Sequence, residues 1–449
     1  MKYHRIDKYV ENTIIMKPLL RHIVTALLEG EAKLILRKYK PKIISVTGSV
    51  GKTSTKDAIF TVIGRPLVAR KSVKSFNSEI GVPLTILGCD NAWSNPILWL
   101  NNLVRGCAIL LARAHYPKWL VLEIGAGKPG DIAHIARWLR SDIVVVTRFA
   151  DVPAHIEFFK SSKELFEEKE EIVKGLKRTA GVLILNADDE RVLALRDKTK
   201  ARTVTFGFSE QAMFRASNTH IVYEKGHPVG TTFKLEYDGN TFPVAIPEVL
   251  GVQSVYSALA ALAVGTYLKL NIVNSINALS AHESPPGRMR VLAGIKGSII
   301  IDDTYNSSPV AALAAVQVLG DIKSKGKKIA VLGDMLELGK FAVEEHKKLG
   351  MVVGENADLL LAVGPRAKYI AEGALENGLG EKNIIEFEDA QKAGKYLEGI
   401  LGEGDVVLIK GSQAMRMERA VEEIMEHPEQ AHRSLVRQED EWLARRETL

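Results

Sequence analysis

The chain has 449 residues, 46% of them hydrophobic and 25% charged, which leaves room for two or three globular domains with large cores. Its net charge of +6 suits a polyanionic ligand such as a nucleotide and equally an acidic membrane surface, so charge does not choose between them. Two cysteines, Cys89 and Cys107, exclude a disulfide framework and a cysteine metal site, in keeping with a reducing cytoplasm, and no apolar run followed by a small-residue cleavage site marks a secretory signal.

Residues 1–41 read as an amphipathic helical lead. Leu19, Leu20, Ile23, Val24, Leu27 and Leu28 recur at helical spacing, but Arg21, His22, Glu29, Glu31 and Lys33 interrupt them, too many charges for a membrane span. Lys17, Arg37, Lys38, Lys40 and Lys42 flank the segment. A helix docked on its own domain and a helix making peripheral contact with a membrane both fit.

Ile43 to Val46 is the first of a series of short apolar runs, each ending in glycine or a polar residue. The others are Leu120–Leu122, Ile143–Val146, Val182–Leu185, Ile299–Ile301, Ile329–Leu332 and Val406–Ile409. Segments of helical periodicity separate most of them, which predicts parallel α/β sheets with ligands beyond the carboxyl ends of the strands.

The first run leads into Gly48-Ser49-Val50-Gly51-Lys52-Thr53-Ser54. The strict phosphate-loop pattern requires glycine where Val46 stands, so only the shorter form Gly-x-x-Gly-Lys-Thr remains. Its place between a buried strand and a helix is the context such a loop needs. Backbone N–H groups would face the phosphates, Lys52 would neutralise them and Thr53 would join a Mg²⁺ ion.

Further along, Ile97 to Leu111, broken by Asn101, Asn102 and Arg105, predicts a second amphipathic helix. Glu123 ends a buried run before Gly125-Ala126-Gly127; it is a natural second Mg²⁺ ligand or a strand-end carboxylate in solvent. His155 alone reads as a surface histidine, and Lys169 in "LFEEKEEIV" alone reads as a solvated helix charge.

Residues 203–247 alternate between apolar and polar with Gly and Asp-Gly turns, which predicts antiparallel hairpins. Pro285-Pro286-Gly287 is a linker signal between an ATPase-like domain, 42–285, and a C-terminal α/β domain, 286–430. In the latter, "DDTYNSSP" and "VLGDMLELG" are acidic strand ends. "LIKGSQAMRMER" puts Lys410, Arg416 and Arg419 near a strand-to-helix turn, where they suit carboxylate substrates or, more blandly, capping and solvation. The tail, 431–449, reads as charged, helical and loosely held.

As a set these segments resemble the Mur ligase family, the ATP-dependent amide ligases of peptidoglycan precursor synthesis. The matching stretches run in family order: "TGSVGKTSTKD", "NSEIGVPLTIL", "VLEIGAGKPGDI", "HIEFF" with "EEKEEIV", "LNADDERV", "GRMRVL", "IIDDTYNSSP", "VLGDMLELGKFAVEEH" and "VVLIKGSQAMRMERAVE". The third and the last three point to the branch that adds D-alanyl-D-alanine to a muramoyl tripeptide.

The resemblance implies a P-loop central domain followed by a Rossmann-like C-terminal domain. It implies that Lys52 and Thr53 hold ATP phosphates and metal, and that Glu123 and His155 are ligands of two Mg²⁺ ions. Lys169 falls on the family's carbamoylated lysine, where a cation becomes an anionic oxygen ligand. Asn77, Ser78 and Glu79 fall on a substrate-contacting loop; Arg288 falls on a residue that meets ATP on domain closure; Asp303 and Tyr305 fall on a nucleotide-facing pair. The implied reaction is attack of a substrate carboxylate on the γ-phosphate of ATP, then attack of an amine on the acyl phosphate. The implied substrates are a UDP-muramoyl peptide and D-alanyl-D-alanine; a cytoplasmic monomer without a nucleic-acid partner is expected.

Four departures accompany the likeness. Gln253, Ser254 and Ser257 stand where the family usually has His and two Asn, so adenine recognition is expected to differ. Ser308 replaces a usual Asn, and Gln413 a usual Arg. Residues 1–41 are too few for the family's uridine-binding N-terminal domain, whose task then falls to the lead helix, to the Ile97–Leu111 segment, to a partner, or is not done at all. Two other readings therefore stand beside the first: a related ligase acting on a different carboxylate, and a non-catalytic, nucleotide-gated subunit.

Overall fold

The computed structural model describes residues 18–112, 115–177 and 180–444. Two sheets organise them. In the nine-stranded sheet the order is β2 (Ala69–Lys71), β3 (Trp119–Glu123), β1 (Lys42–Thr47), β4 (Ile143–Val146), β5 (Val182–Asn186), β6 (Arg202–Gly207), β7 (Phe214–Glu224), β8 (His227–Tyr237) and β9 (Asn240–Pro247). The central strands are buried on both faces, as their unbroken apolar runs require. Alternate residues feed two separate cores: Leu120 and Leu122 point to one, Val121 with Ile44 and Val46 to the other.

Strands β7 to β9 form the expected antiparallel hairpins. β6 does not belong with them: it runs parallel to β5 and to β7, so the parallel sheet extends further than the alternation suggested.

The six-stranded sheet has the order β10 (Arg290–Ala293), β11 (Ile299–Asp303), β15 (Val406–Lys410), β12 (Lys328–Gly333), β13 (Leu359–Val363) and β14 (Ile384–Phe387). All neighbours are parallel except β10 with β11. The mixed α/β class expected from the apolar runs is what the chain adopts, and in this sheet β10, β13 and β14 are additions to those runs.

The lead helix spans Pro18–Tyr39. Val24, Leu28, Ala32 and Ile35, spaced for one helical face, are buried in the central core. The helix is therefore docked on its own domain. Helix Pro96–Leu111 lies beside it, started by the Asn95 side chain, which accepts the Ile97 and Leu98 N–H groups. Residues 1–17, the beginning of the expected lead, lie outside the described residues. Among the described residues no helix is long and apolar enough to cross a membrane.

The tail is not loose over its described part. Leu435, Val436 and Arg437 are buried, and two one-turn helices, Ala431–Ser434 and Asp440–Leu443, flank them. The tail also reaches the first sheet's side of the molecule: Glu439 pairs with Lys74, and Trp442 meets Trp93 edge-on at 5.9 Å. Its charged composition concealed three residues that fit a buried slot.

Candidate active site

The carboxyl ends of the parallel strands in both sheets open onto one cleft of about 610 Å³. After β1 the chain turns at Gly48, whose φ of 143° is a glycine conformation. A side chain there would strike the Thr147 hydroxyl and the Arg148 backbone. The turn leads into helix Lys52–Leu67, so Lys52 and Thr53 sit in its first turn, where unpaired N–H groups attract anions. Gly48, Ser49, Val50, Gly51, Lys52, Thr53 and Ser54 all line the cleft.

Lys52 is half-buried and folds back over the loop, donating to the carbonyls of Gly48 at 2.9 Å and Ser49 at 3.4 Å. Burial lowers its pKa; Glu123 works against that shift and Arg288 adds to it. The Thr53 hydroxyl donates to Glu123 Oε2 at 2.9 Å and accepts from Arg288 Nη2 at 2.9 Å. Asn77 holds the other oxygen of Glu123, donating from Nδ2 at 3.0 Å. Of the substrate-loop trio, Ser78 starts the helix Gly81–Leu87, accepting the Gly81 N–H, and Glu79 pairs with Arg21.

Lys169 is not a solvated charge; it is 5% exposed. The helix carrying it, Ser162–Glu170, is anchored by its neighbour Glu168, which accepts the N–H groups of Gly130, Ile132 and Ala133 at the start of helix Asp131–Trp138. That anchor turns Lys169 inward, where Nζ donates to Ser49 Oγ at 2.7 Å. Burial, with Lys52 and Arg191 nearby, holds its pKa well below the usual lysine range. Sequence reasoning passed over Glu168; a buried capping carboxylate cannot be told from its exposed neighbours in so acidic a stretch.

His155 lines the same cleft, but its Nδ1 lies 2.5 Å from Glu337 Oε2, across from the second sheet. Among the described residues no three His, Cys, Asp or Glu side chains stand close enough to hold a metal by themselves. The Thr53 hydroxyl and the Glu123 carboxylate do supply converging hard oxygen donors of the kind Mg²⁺ takes.

From the second sheet come Arg288, Asp303, Tyr305 and Lys410. Asp302 and Asp303 grip the linker: Asp302 accepts the Gly287 N–H and Asp303 the Met289 N–H. Between them Arg288 is directed at Thr53, with its guanidinium 4.1 Å from the centre of the Tyr305 ring. Burial raises the Asp302 pKa to about 6. Lys410, expected at a substrate carboxylate, is buried in an ion pair with Asp303 at 2.5 Å and donates to the Asn306 carbonyl. Arg416, expected there too, is absent from the cleft lining. It packs over Trp442 and donates to Glu418 at 2.5 Å, because Glu418 is a fully buried carboxylate that needs cations.

Two donors are left over. Gln253 Nε2 and Arg288 Nε line the cleft, are buried, and have no hydrogen-bond partner among the described residues. Ser254 and Ser257 are engaged locally, with the Gly251 and Gln253 carbonyls respectively. A polar ligand that brings acceptors to both sides of the cleft therefore fits.

The Mur ligase middle domain matches residues 46–265, and the Mur ligase glutamate ligase domain matches residues 287–413. A UDP-N-acetylmuramoyl-tripeptide–D-alanyl-D-alanine ligase of Bacillus subtilis is 30% identical over 402 residues, covering 89% of this chain and 79% of the relative. The chain belongs to the Mur ligase family. The Escherichia coli enzyme of the same name is 28% identical over 90% of this chain and 81% of its own length. Among solved structures, the MurF ligase of Thermotoga maritima in complex with ADP superposes with a TM-score of 0.73 at 28% identity, covering 89% of this chain and 83% of that one. Like its relatives, this Mur ligase is an ATP-dependent acid–amino-acid ligase. The matched spans contain the Gly48–Ser54 loop, Glu123, His155, Lys169, Arg288 and Lys410, and end before Arg416 and the tail.

Proposed function

We propose that this Mur ligase joins D-alanyl-D-alanine to the terminal carboxylate of a muramoyl tripeptide at the cost of ATP. The observation that carries the reading is the convergence of Lys52, Thr53, Glu123, Lys169 and Arg288 from both sheets on one cleft with unpartnered donors. In this reading Lys52 leaves its loop carbonyls to meet the β- and γ-phosphates, and Arg288 approaches them from the opposite side. Both cations offset the repulsion between the attacking carboxylate and the triphosphate. The Thr53 hydroxyl and Glu123 would hold Mg²⁺, with Asn77 keeping Glu123 oriented; the ion, when bound, supplies charge neutralisation at the transferring phosphoryl group.

Lys169 suits carbamoylation. Reaction of an amine with CO₂ needs a free lone pair and releases a proton, and a buried lysine with two cationic neighbours and a lowered pKa is neutral enough to react. His155 would join the second metal only after leaving Glu337, so its pairing is the contact to watch on ligand binding. Asp303, Tyr305 and Lys410 position the linker and the nucleotide side of the cleft.

The test is phosphate release with Mg-ATP, UDP-muramoyl tripeptide and D-alanyl-D-alanine, with mass analysis of the product. Release that requires both organic substrates and yields the pentapeptide is expected. Release that needs the tripeptide but ignores D-alanyl-D-alanine would instead favour a different amine, a reading that Gln413 at the cleft wall makes specific.

A further inference from the structure

Two helices carry large apolar side chains on their outer faces, away from the cleft. On Pro18–Tyr39, Leu20, Ile23, Leu27 and Leu34 are exposed although the opposite face is already buried. On Pro96–Leu111, Ile97, Leu100, Val104 and Leu111 are more exposed still, up to 88%. Their spacing, three, four and seven residues apart, draws one stripe along the whole helix.

The two stripes adjoin. Glu31 seats against Gly106, where any side chain would collide with it, and accepts from Cys107 Sγ at 3.3 Å. Lys38 donates to the carbonyls of Ile109, Leu110 and Ala112, capping the end of the second helix, and the Tyr39 hydroxyl donates to the Ile109 carbonyl. The helices therefore run side by side in the same direction. Leu27 and Leu34 lie one turn either side of Glu31, and Val104 and Leu111 lie one turn either side of Cys107, with Leu100 a further turn back. Both apolar rows thus border a single seam.

The charge on this face that no carboxylate of it pairs is mostly positive. The helix Pro96–Leu111 contains Arg105 and no acid. Arg37 and Lys38 on the lead helix, and Lys40 just beyond it, gather at the end of the seam. The two acids of the lead helix are engaged, Glu29 with Lys33 and His134 and Glu31 with Cys107. An apolar strip rimmed by unopposed cations is complementary to an anionic bilayer, and neither helix can cross one.

We propose that this face lies on an anionic membrane surface. Each basic residue near such a surface adds roughly fivefold to partitioning at low salt, and the apolar rows sink into the headgroup boundary. Arg21, on the same lead helix, lines the cleft and pairs with Glu79, so the bound protein holds its cleft close to the surface.

The experiment is co-sedimentation of the full chain with vesicles of phosphatidylcholine alone and of equal parts phosphatidylcholine and phosphatidylglycerol. Binding to the mixed vesicles only, reduced at least tenfold in Ile97→Gln/Leu100→Gln/Val104→Gln, is expected. Arg105→Glu, which keeps the apolar rows, should weaken binding severalfold, and added salt should do the same. Thermal unfolding of the variants at the wild-type temperature confirms that the fold survives. No binding to mixed vesicles, binding unaffected by the triple change, or a concentration-dependent dimer that the triple change abolishes would each overturn the proposal. The vesicle result does not depend on turnover, so it stands or falls apart from the ligase assay.

Discussion

Glu418→Gln tests whether the buried tail supports the nucleotide side of the cleft. Glu418 is fully buried and receives Arg416 Nε at 2.5 Å and Arg437 Nη1 at 2.7 Å. Arg437 in turn donates to the carbonyls of Thr304 and Tyr305, the latter at 2.5 Å. Tyr305 backs the Arg288 guanidinium, which reaches Thr53. Glutamine keeps the shape but removes the charge, leaving two buried guanidinium groups around a neutral amide. Breaking a buried ion pair in this way costs about 3–5 kcal/mol. At about 2–4 °C per kcal/mol for a unit of this size, the unfolding midpoint should fall by about 10 °C. Calorimetry measures that shift, and steady-state kinetics at a permissive temperature should show a raised KM for ATP with a smaller change in kcat. A midpoint within about 2 °C of wild type corresponds to less than about 1 kcal/mol; it would mean that the two arginines do not depend on Glu418, and the chain of support would be refuted.

Lys169→Ala should lose at least a hundredfold in turnover and regain part of it with added acetate or formate, which can replace a missing carboxylate ligand; no rescue at any concentration would count against carbamoylation. Gln253→Leu removes an unpartnered cleft donor and should raise the KM for ATP about fivefold, the worth of one hydrogen bond, with kcat unchanged; an unaltered KM would place adenine elsewhere. His346 accepts the Met335 N–H and donates to the Ala342 carbonyl, and burial depresses its pKa from 6.5 to about 4. Its contribution is present above pH 6.5 and is lost as pH falls through about 4, a loss of about 3 kcal/mol. Asp302 and Asp334, raised to about 6, act oppositely, gaining stability as pH falls. Because both aspartates are present in either protein, wild type should lose about 3 kcal/mol relative to His346→Gln between pH 7 and 4 in denaturant unfolding, and parallel curves would contradict the assignment.

What could be read from the sequence was what short stretches decide. A glycine turn between a buried strand and a helix is built from consecutive residues, so the turn and helix start at Gly48 to Ser54 were legible although the phosphate-loop pattern was incomplete. Strands buried on both faces were legible as unbroken apolar runs. Glu123 was legible as a strand end, but its hydrogen bond from Asn77, 46 residues away, was not, because nothing local to either residue implies the other.

Charged side chains were the least legible, for a physical reason. The fate of a charge depends on the counter-charge and burial it meets, and these come from distant chain. Lys169 and Glu168 are adjacent in a helix that looks fully solvated, yet one caps a neighbouring helix and the other faces the cleft. Lys410 and Arg416 seemed equivalent as anion-binding residues, but each had already been claimed, by Asp303 and by Glu418. The same reasoning separates Arg288 from them. Its neighbours Gly287 and Met289 are held by Asp302 and Asp303 through the backbone, which leaves the guanidinium itself opposed by no carboxylate in those contacts. Thr53 and the Tyr305 ring, both neutral, are what it touches. A half-buried cation held against neutral partners beside the Gly48–Ser54 loop is poised for an anion, and in this cleft that makes Arg288, more than Lys410 or Arg416, the second-sheet residue on which the ligase reading depends.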